Sequence, residues 1–541
     1  MTQATLGIPV LDLVIIIVYM LGILAIGVLS ARGIKRTASG YFLADRSLRW
    51  GVVGSAMFAA NISTIHLVGL AASGYSEGLV WGNFEWMAAF SLILLALVFA
   101  PFYFRSRIST LPEFLEKRFG PGARVMLAFM AILAALFIHI GMSLYAGAAV
   151  FRQFFGIDVL TSIILISVVT GIYTLLGGLK AVVVTESIQA VILILGAALV
   201  TIFAVLALPS HGIASLAAFK AAVKPGQLSM LQTHSSAGLN WYAVFLGYPI
   251  LGIWYWCTDQ TIVQRVLGSR TEKDAQKGAL FAGLLKILPV FILVLPGVVG
   301  YVLFRDVIGA DANQTLPVLL VRLIPTGLKG IIAAGLLAAL MSTIAAALNS
   351  TATLVAVDIV KRIRPESSDK AQVRIGQACT VAVMLLAMVW STQGGRYSSI
   401  FEAINTIGSY LAPPITAVFL WGVFWKRGTK QAALTTLVGG FLLGLASFLV
   451  DFPVFGAEKV ITQGLGIPFM MQAWWMFCIC SLVFVAVSLL TPKPDIEKIR
   501  DLTWSSPTAV ITRGRIQGWS DPRILAGGLL ALLVVLYSIF R

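Results

Sequence analysis

Apolar runs of about 20 residues recur along the whole chain, separated by short polar intervals. That is the length a helix needs to cross a bilayer. The pattern predicts an all-α polytopic membrane protein with 14 transmembrane helices at about 10–30, 51–72, 78–103, 124–151, 158–177, 181–208, 240–264, 278–304, 330–358, 375–393, 398–425, 431–450, 467–491 and 524–540. A transmembrane barrel would instead show short segments of alternating polarity. The intervals at 361–374 and 493–523 read as loops, and no soluble domain is attached.

Two of the runs are interrupted. The second, AMFAANISTIHLVGL, carries Asn61, Ser63, Thr64 and His66 at mid-membrane. The seventh, GYPILGIWYWC, carries Gly247, Pro249 and Gly252. Discontinuous helices at corresponding places in two halves point to the binding site of a secondary transporter. Spans 2 and 7 lie five apart and run in opposite directions, as an inverted five-plus-five repeat requires. The expected division is a first helix and loop at 1–50, a first repeat at 51–208, an outer loop at 209–239, a second repeat at 240–425, and further helices at 426–541.

Composition sharpens this picture. The chain has 541 residues, 59% of them hydrophobic and 11% charged, against about 25% charged in soluble proteins. The net charge of +16 reads as a topology signal rather than a nucleic-acid footprint. If the loop after span 1 is cytoplasmic, alternate loops hold 29 Lys and Arg on that side and 9 on the other, with Lys286 inside a span. By the positive-inside rule both termini lie outside. The four cysteines suit neither a disulfide framework nor a metal site, and the histidines at 66, 139, 211 and 234 look scattered. Neither a nucleophile–base pair nor a metal cluster is legible, so an enzyme is disfavoured. The first segment has no basic residue and reads as a retained span rather than a signal peptide.

Ionisable residues inside a bilayer cost about 2.5–3.5 kcal/mol each and usually face a cavity or a partner. Glu85 in span 3 and Lys286 in span 8 are the deepest; Asp259, Glu186 and Glu402 lie nearer the faces and would also suit a solvated interface. An acid and an amine in one cavity suit a neutral polyhydroxyl substrate, whose hydroxyls donate and accept. A sugar also offers a C–H face to an aromatic ring. Of Trp254, Tyr255 and Trp256, one is expected at the substrate and the others packed outward, because consecutive α-helical residues diverge by about 100°. Adjacent hydroxyls at Ser342 and Thr343 would either bond back to their own helix or, with carbonyls freed at the break in span 2, hold sodium.

The segments WYWCTDQTIVQR, AANIS…H.VGLA…FEW, LPEFLEKRFG, GGLKAVVVTESIQ, LNSTATL.A.DI and YLAPPI.AVFLWG.FWKR, in this order, resemble the sodium/solute symporter family, of the sodium/glucose and sodium/galactose cotransporter type. The resemblance covers nearly the whole chain. It implies a leucine-transporter-like five-plus-five inverted repeat core of spans 2–11, with spans 1 and 12–14 outside it. It implies a sugar site at Asn61, His66, Glu85, Tyr255, Trp256, Lys286 and Asn405, with Tyr255 as the inner gate. It implies sodium, as coupling ion, at the carbonyls of Ala59, Ile62 and Ala339 and the hydroxyls of Ser342 and Thr343, leaving past Glu186. No organic cofactor, nucleic-acid partner or obligate protein partner is implied.

Four departures stand out against these relatives. Gly252 replaces Thr or Asn, Asn405 replaces Gln, and Ala88 replaces a Ser. Ala345, Ala346 and Glu186 stand where relatives with a second sodium site carry hydroxyls and Asp. The expected function is symport of a neutral sugar with one sodium, in a bacterial inner membrane. The alternatives are a sodium symporter for a polyol such as inositol, an anionic sugar or a monocarboxylate, or a sugar sensor without transport.

Overall fold

The computed structural model describes residues 9–32, 37–235, 238–392, 400–451, 460–506, 509–512, 514–516 and 518–541, without the side chains of 153–155 and 400–406. The regular structure among the described residues is helical, with two isolated bridges, Leu48 to Ser269 and Gln232 to Asn240, in place of any strand. With no water in the hydrocarbon core, each crossing must satisfy its own backbone, and helices do so.

Eleven described helices are long and apolar enough to cross a membrane, or twelve with the bent pair Trp50–Asn61 and Thr64–Ser76 counted as one. The expected fourteen is not reached by this measure. The difference falls at two places. The first is the continuous helical run Val159–His211, 53 residues long. Its main helix, Val159–Leu206, has 48 residues, about 72 Å if straight and over twice the bilayer core. It is not straight. Gly178 has φ 50° and ψ −149°, a conformation open to glycine and strained for other residues. A Cβ built on Gly27 would lie 2.6 Å from Tyr173 Cβ and 3.4 Å from Thr185 Cγ2. Residues twelve apart cannot both meet one point unless the chain doubles back between them, where the sequence places a turn after 177.

The second place is span 7. Its first half is the helix Trp241–Gly252. A π-helical turn follows at Ile253–Thr258. Asp259 is extended (φ −85°, ψ 125°), and its carboxylate caps the next helix, Gln260–Leu267, by accepting from Thr261 N at 2.6 Å. The sequence reading put the interruption at Gly247, Pro249 and Gly252. The helix runs through all three and breaks at Asp259 instead. Pro249 costs the helix one hydrogen bond, whereas an Asp cap both ends one segment and starts the next.

Span 2 breaks where expected, bent by 64° between Asn61 and Thr64. Ser63 begins the second half in a capping-box arrangement: its N–H donates to His66 Nδ1 at 3.2 Å, and its hydroxyl lies 3.0 Å from the same nitrogen. Span 9, Leu328–Ile363, is the axis of the molecule: 94% of its apolar window is buried, against 17% for span 1 (Val10–Ala31). The window is 28% buried in each of spans 12, 13 and 14 (Lys430–Asp451, Phe469–Leu490 and Pro522–Ile539), which are the outer layer.

Candidate substrate and ion site

The break in span 2 and the π turn of span 7 line one cavity of about 130 Å³. Span 2 supplies Asn61, Ser63 and His66, and span 3 (Leu79–Arg105) supplies Phe84 and Glu85. Lys286 comes from span 8 (Glu272–Ile308), and the π turn of span 7 brings Trp254, Tyr255 and Trp256.

Lys286 organises the polar side. Its ammonium bonds the Glu85 carboxylate, donates to Asn61 Oδ1 at 2.6 Å, and lies 5.5 Å from the centre of the Trp256 ring. Both members of the ion pair are 1% exposed. The aromatic side departs from expectation, because all three consecutive rings line the cavity. The π-helical widening turns the chain less per residue than an α-helix does, which narrows the spread of neighbouring side chains. The rings meet edge to face, Tyr255 with Trp254 at 6.2 Å and with Trp256 at 5.1 Å. Tyr248 closes the wall and donates from its hydroxyl to Phe84 O at 2.8 Å.

His66 and His139, read as scattered, line the same cavity. His139 stands in a π-helical stretch of span 4, Ala134–Met142. Its Nε2 is 3.1 Å from Asp259 Oδ2, and its ring is 5.8 Å from Tyr255. Asp259 is thus paired and 5% exposed rather than solvated at an interface. Glu186 is also withdrawn from solvent: it pairs with Arg265, and both side chains are 0% exposed. The Asn405 and Glu402 side chains lie outside the described residues. Ser143, Tyr248 and His139 were missed because a lone polar or aromatic residue in a span carries no signal of its own.

Beside the cavity, span 9 meets the break in span 2. A helix leaves its last carbonyls without intrahelical partners. Ser342 Oγ donates to Ala59 O at 2.7 Å and also reaches Ala339 O at 3.0 Å. Thr343 Oγ1 reaches Ala60 O and Ala339 O, both at 3.1 Å. Ile62 is buried at the break itself. Two hydroxyls and three carbonyls converge there, a set of hard oxygens suited to a small monovalent cation.

A helical membrane protein with two interrupted helices around a polar cavity, and an oxygen cluster at one break, belongs to the class of secondary transporters. The chain is a member of the sodium:solute symporter family, whose profile matches residues 41–440. It is 32% identical to sodium/glucose cotransporter 1 of Oryctolagus cuniculus over 538 residues, 91% of this chain and 81% of the relative. It is 33% identical to the sodium/myo-inositol cotransporter of Homo sapiens over 550 residues, 92% of this chain and 76% of that one. Among solved structures, a sodium-coupled sialic acid symporter matches 90% of this chain and 99% of its own, with a TM-score of 0.77 at 21% identity. Mhp1, a nucleobase-cation-symport-1 family transporter, matches 85% and 97%, with a TM-score of 0.53 at 14% identity. The fold is therefore the leucine-transporter type, and the activity is sodium-coupled solute symport across a membrane, not enzymatic conversion.

Proposed function

We propose that the solute is a neutral sugar or a close polyol, carried by alternating access with one sodium per molecule. The observation that carries this reading is the joined set Glu85, Lys286 and Asn61 facing an aromatic wall. The acid accepts, the ammonium donates, and the amide does both, so a ring of hydroxyls meets partners of each kind. A free carboxylate on the substrate would compete with Glu85 for Lys286 and meet repulsion. In this reading His66, Tyr255, Trp256 and Asn405 complete the solute site, and Tyr255 closes its inner side. Sodium sits among Ala59, Ile62, Ala339, Ser342 and Thr343, joining span 2 to span 9. The charge asymmetry supports both termini outside, and the short loops suit a bacterial inner membrane. The expected repeats at 51–208 and 240–425 belong to this proposal.

Glucose and inositol are separate readings, because relatives named for each are about equally similar to this chain. The test is uptake of radiolabelled glucose into proteoliposomes under an inward sodium gradient, with an equal potassium gradient as control. Unlabelled galactose, mannose, fructose, myo-inositol, xylose and sialic acid compete. Concentrative, sodium-dependent uptake with a Hill coefficient for sodium of about one is expected. A coefficient near two refutes the single ion, and competition by sialic acid alone refutes the neutral solute.

A further inference from the structure

Below Ser342 and Thr343 the polar face of span 9 continues toward the cytoplasm. Asn349 and Ser350 follow them by seven residues, two helical turns, and so lie on the same face about 10 Å lower. Each is 1% exposed. Among the described residues, neither amide atom of Asn349 has a hydrogen-bond partner, nor does Ser350 Oγ.

The lower half of span 7 stands opposite. Gln264 Nε2 donates to Thr353 Oγ1 at 2.7 Å and to Phe42 O at 2.8 Å, which sets the register of the two helices. Gln260 is one turn above Gln264, as Asn349 is one turn above Thr353. Gln260 Oε1 accepts from Leu111 N at 2.9 Å, while Gln260 Nε2 and Gln264 Oε1 are buried without partners among the described residues. Farther down, Asp358 Oδ1 takes the Thr110 hydroxyl at 2.8 Å and Arg124 at 2.7 Å, while its Oδ2 is buried and has no partner among the described residues.

Five side chains with orphaned polar atoms on the lower halves of two packed helices do not fit a dry interface, since nearly all buried polar groups in folded proteins are paired. Four of the orphans are hard oxygens: Asn349 Oδ1, Ser350 Oγ, Gln264 Oε1 and Asp358 Oδ2. The two amide nitrogens, of Asn349 and Gln260, suit water held by an ion. We propose that these groups form a transit site for partly hydrated sodium, between the lower half of span 7 and span 9, on the way to the cytoplasm. The inference rests on the placement of sodium at Ser342 and Thr343. Its rival is the route past Glu186, where an ion would have to displace Arg265 from both carboxylate oxygens of a fully buried pair.

The experiment separates ion release from solute movement. Proteoliposomes carry radiolabelled glucose, or myo-inositol where glucose is not carried. Net uptake down a sodium gradient requires sodium to leave inside. Exchange at equal, saturating sodium on both sides does not. Asn349→Ala is expected to slow net uptake about ten-fold, the factor that about 1.4 kcal/mol of lost ion stabilisation gives, with exchange within about two-fold. Ser350→Ala, a change small enough to fold, is expected to move the same ratio in the same direction by less. If net uptake and exchange fall together in both variants, these groups are packing and the proposal is overturned. It is overturned too if both variants match the parent protein while Glu186→Gln slows net uptake alone. Ser342→Ala tests the underlying placement separately: exchange whose sodium dependence is unmoved would place sodium elsewhere and remove this proposal with it.

Discussion

Replacing Lys286 by Met should destabilise the protein more than any loss of packing would. The ammonium and the Glu85 carboxylate are each 1% exposed and bonded to each other. Removing one partner leaves a buried charge without compensation, a loss of about 3–5 kcal/mol. Lys286→Met and Glu85→Gln should each cost that much. The double variant removes both charges, and neutral replacement of a buried pair is often neutral or stabilising by about 1–4 kcal/mol. It also gives up the Asn61 bond and the Trp256 ring contact, worth about 0.5–2 kcal/mol for a cation over a ring. The double variant should therefore lie within about 2 kcal/mol of the parent, well above the sum of the singles. Reversible unfolding in mixed micelles, followed by tryptophan fluorescence, reads all four proteins. Uptake should be lost in all three variants, because the proposed solute partners are gone. Single losses near 1 kcal/mol that add in the double would refute the reasoning, since they would mean that cavity water screens each charge independently.

Three further outcomes follow from the same geometry. Ser342→Ala removes one hydroxyl from the oxygen cluster; a hydrogen-bonding group of this kind contributes about 0.5–1.5 kcal/mol, so half-maximal uptake should need about two-fold to about ten-fold more sodium, read from a sodium titration of initial rates. Gly252→Thr, which restores the residue of relatives, should impair folding rather than add affinity: a Cβ there would meet Ser91 Oγ at 2.3 Å and the Tyr248 ring at 2.8 Å. Joining it to Ser91→Gly should recover yield in size-exclusion chromatography. Gly178→Ala should lower the yield of monodisperse protein, because its φ of +50° is strained for alanine and the new Cβ would lie 2.3 Å from Tyr41 O.

Much of this architecture is written in local chemistry. A polar tract in an apolar run, Asn61 to Thr64, can hardly remain a plain helix, so the break in span 2 was legible. The turn after 177 was legible as the gap between the apolar runs at 158–177 and 181–208. Glu85 and Lys286 lie 201 residues apart, yet their depth and opposite sign marked them as companions. What stayed hidden depends on relations between segments. Gly247, Pro249 and Gly252 drew the break in span 7 toward themselves, because the effect of Asp259 as a cap depends on what lies after it. His139 became meaningful only once Asp259 and Tyr255 faced it. Asn349 and Ser350 carry no signal in the sequence, because what marks them is the absence of partners among the described residues around them.

The closeness of the two proposed sites suggests how ion and solute affect each other. The Ala59 carbonyl that meets Ser342 is two residues from Asn61, whose side-chain oxygen takes Lys286. Both sit at the last turn before the break, where the backbone is not held by a following helical turn. An ion among Ala59, Ala339 and Ser342 would fix the orientation of that turn, and with it the Asn61 side chain, Lys286 and Glu85. Linkage then requires that solute strengthen sodium binding by the same factor by which sodium strengthens solute binding, commonly about 5–150-fold. Asn61→Ala cuts the connection while leaving Ser342, Thr343 and the backbone carbonyls in place. Titrations with myo-inositol or glucose, read by tryptophan fluorescence in sodium and in potassium, should give a ratio of affinities well above one in the parent and close to one in the variant. If the variant binds the solute more weakly but keeps the parent's ratio, the signal between the sites travels through the backbone or through span 9, and Asn61 is a solute ligand only.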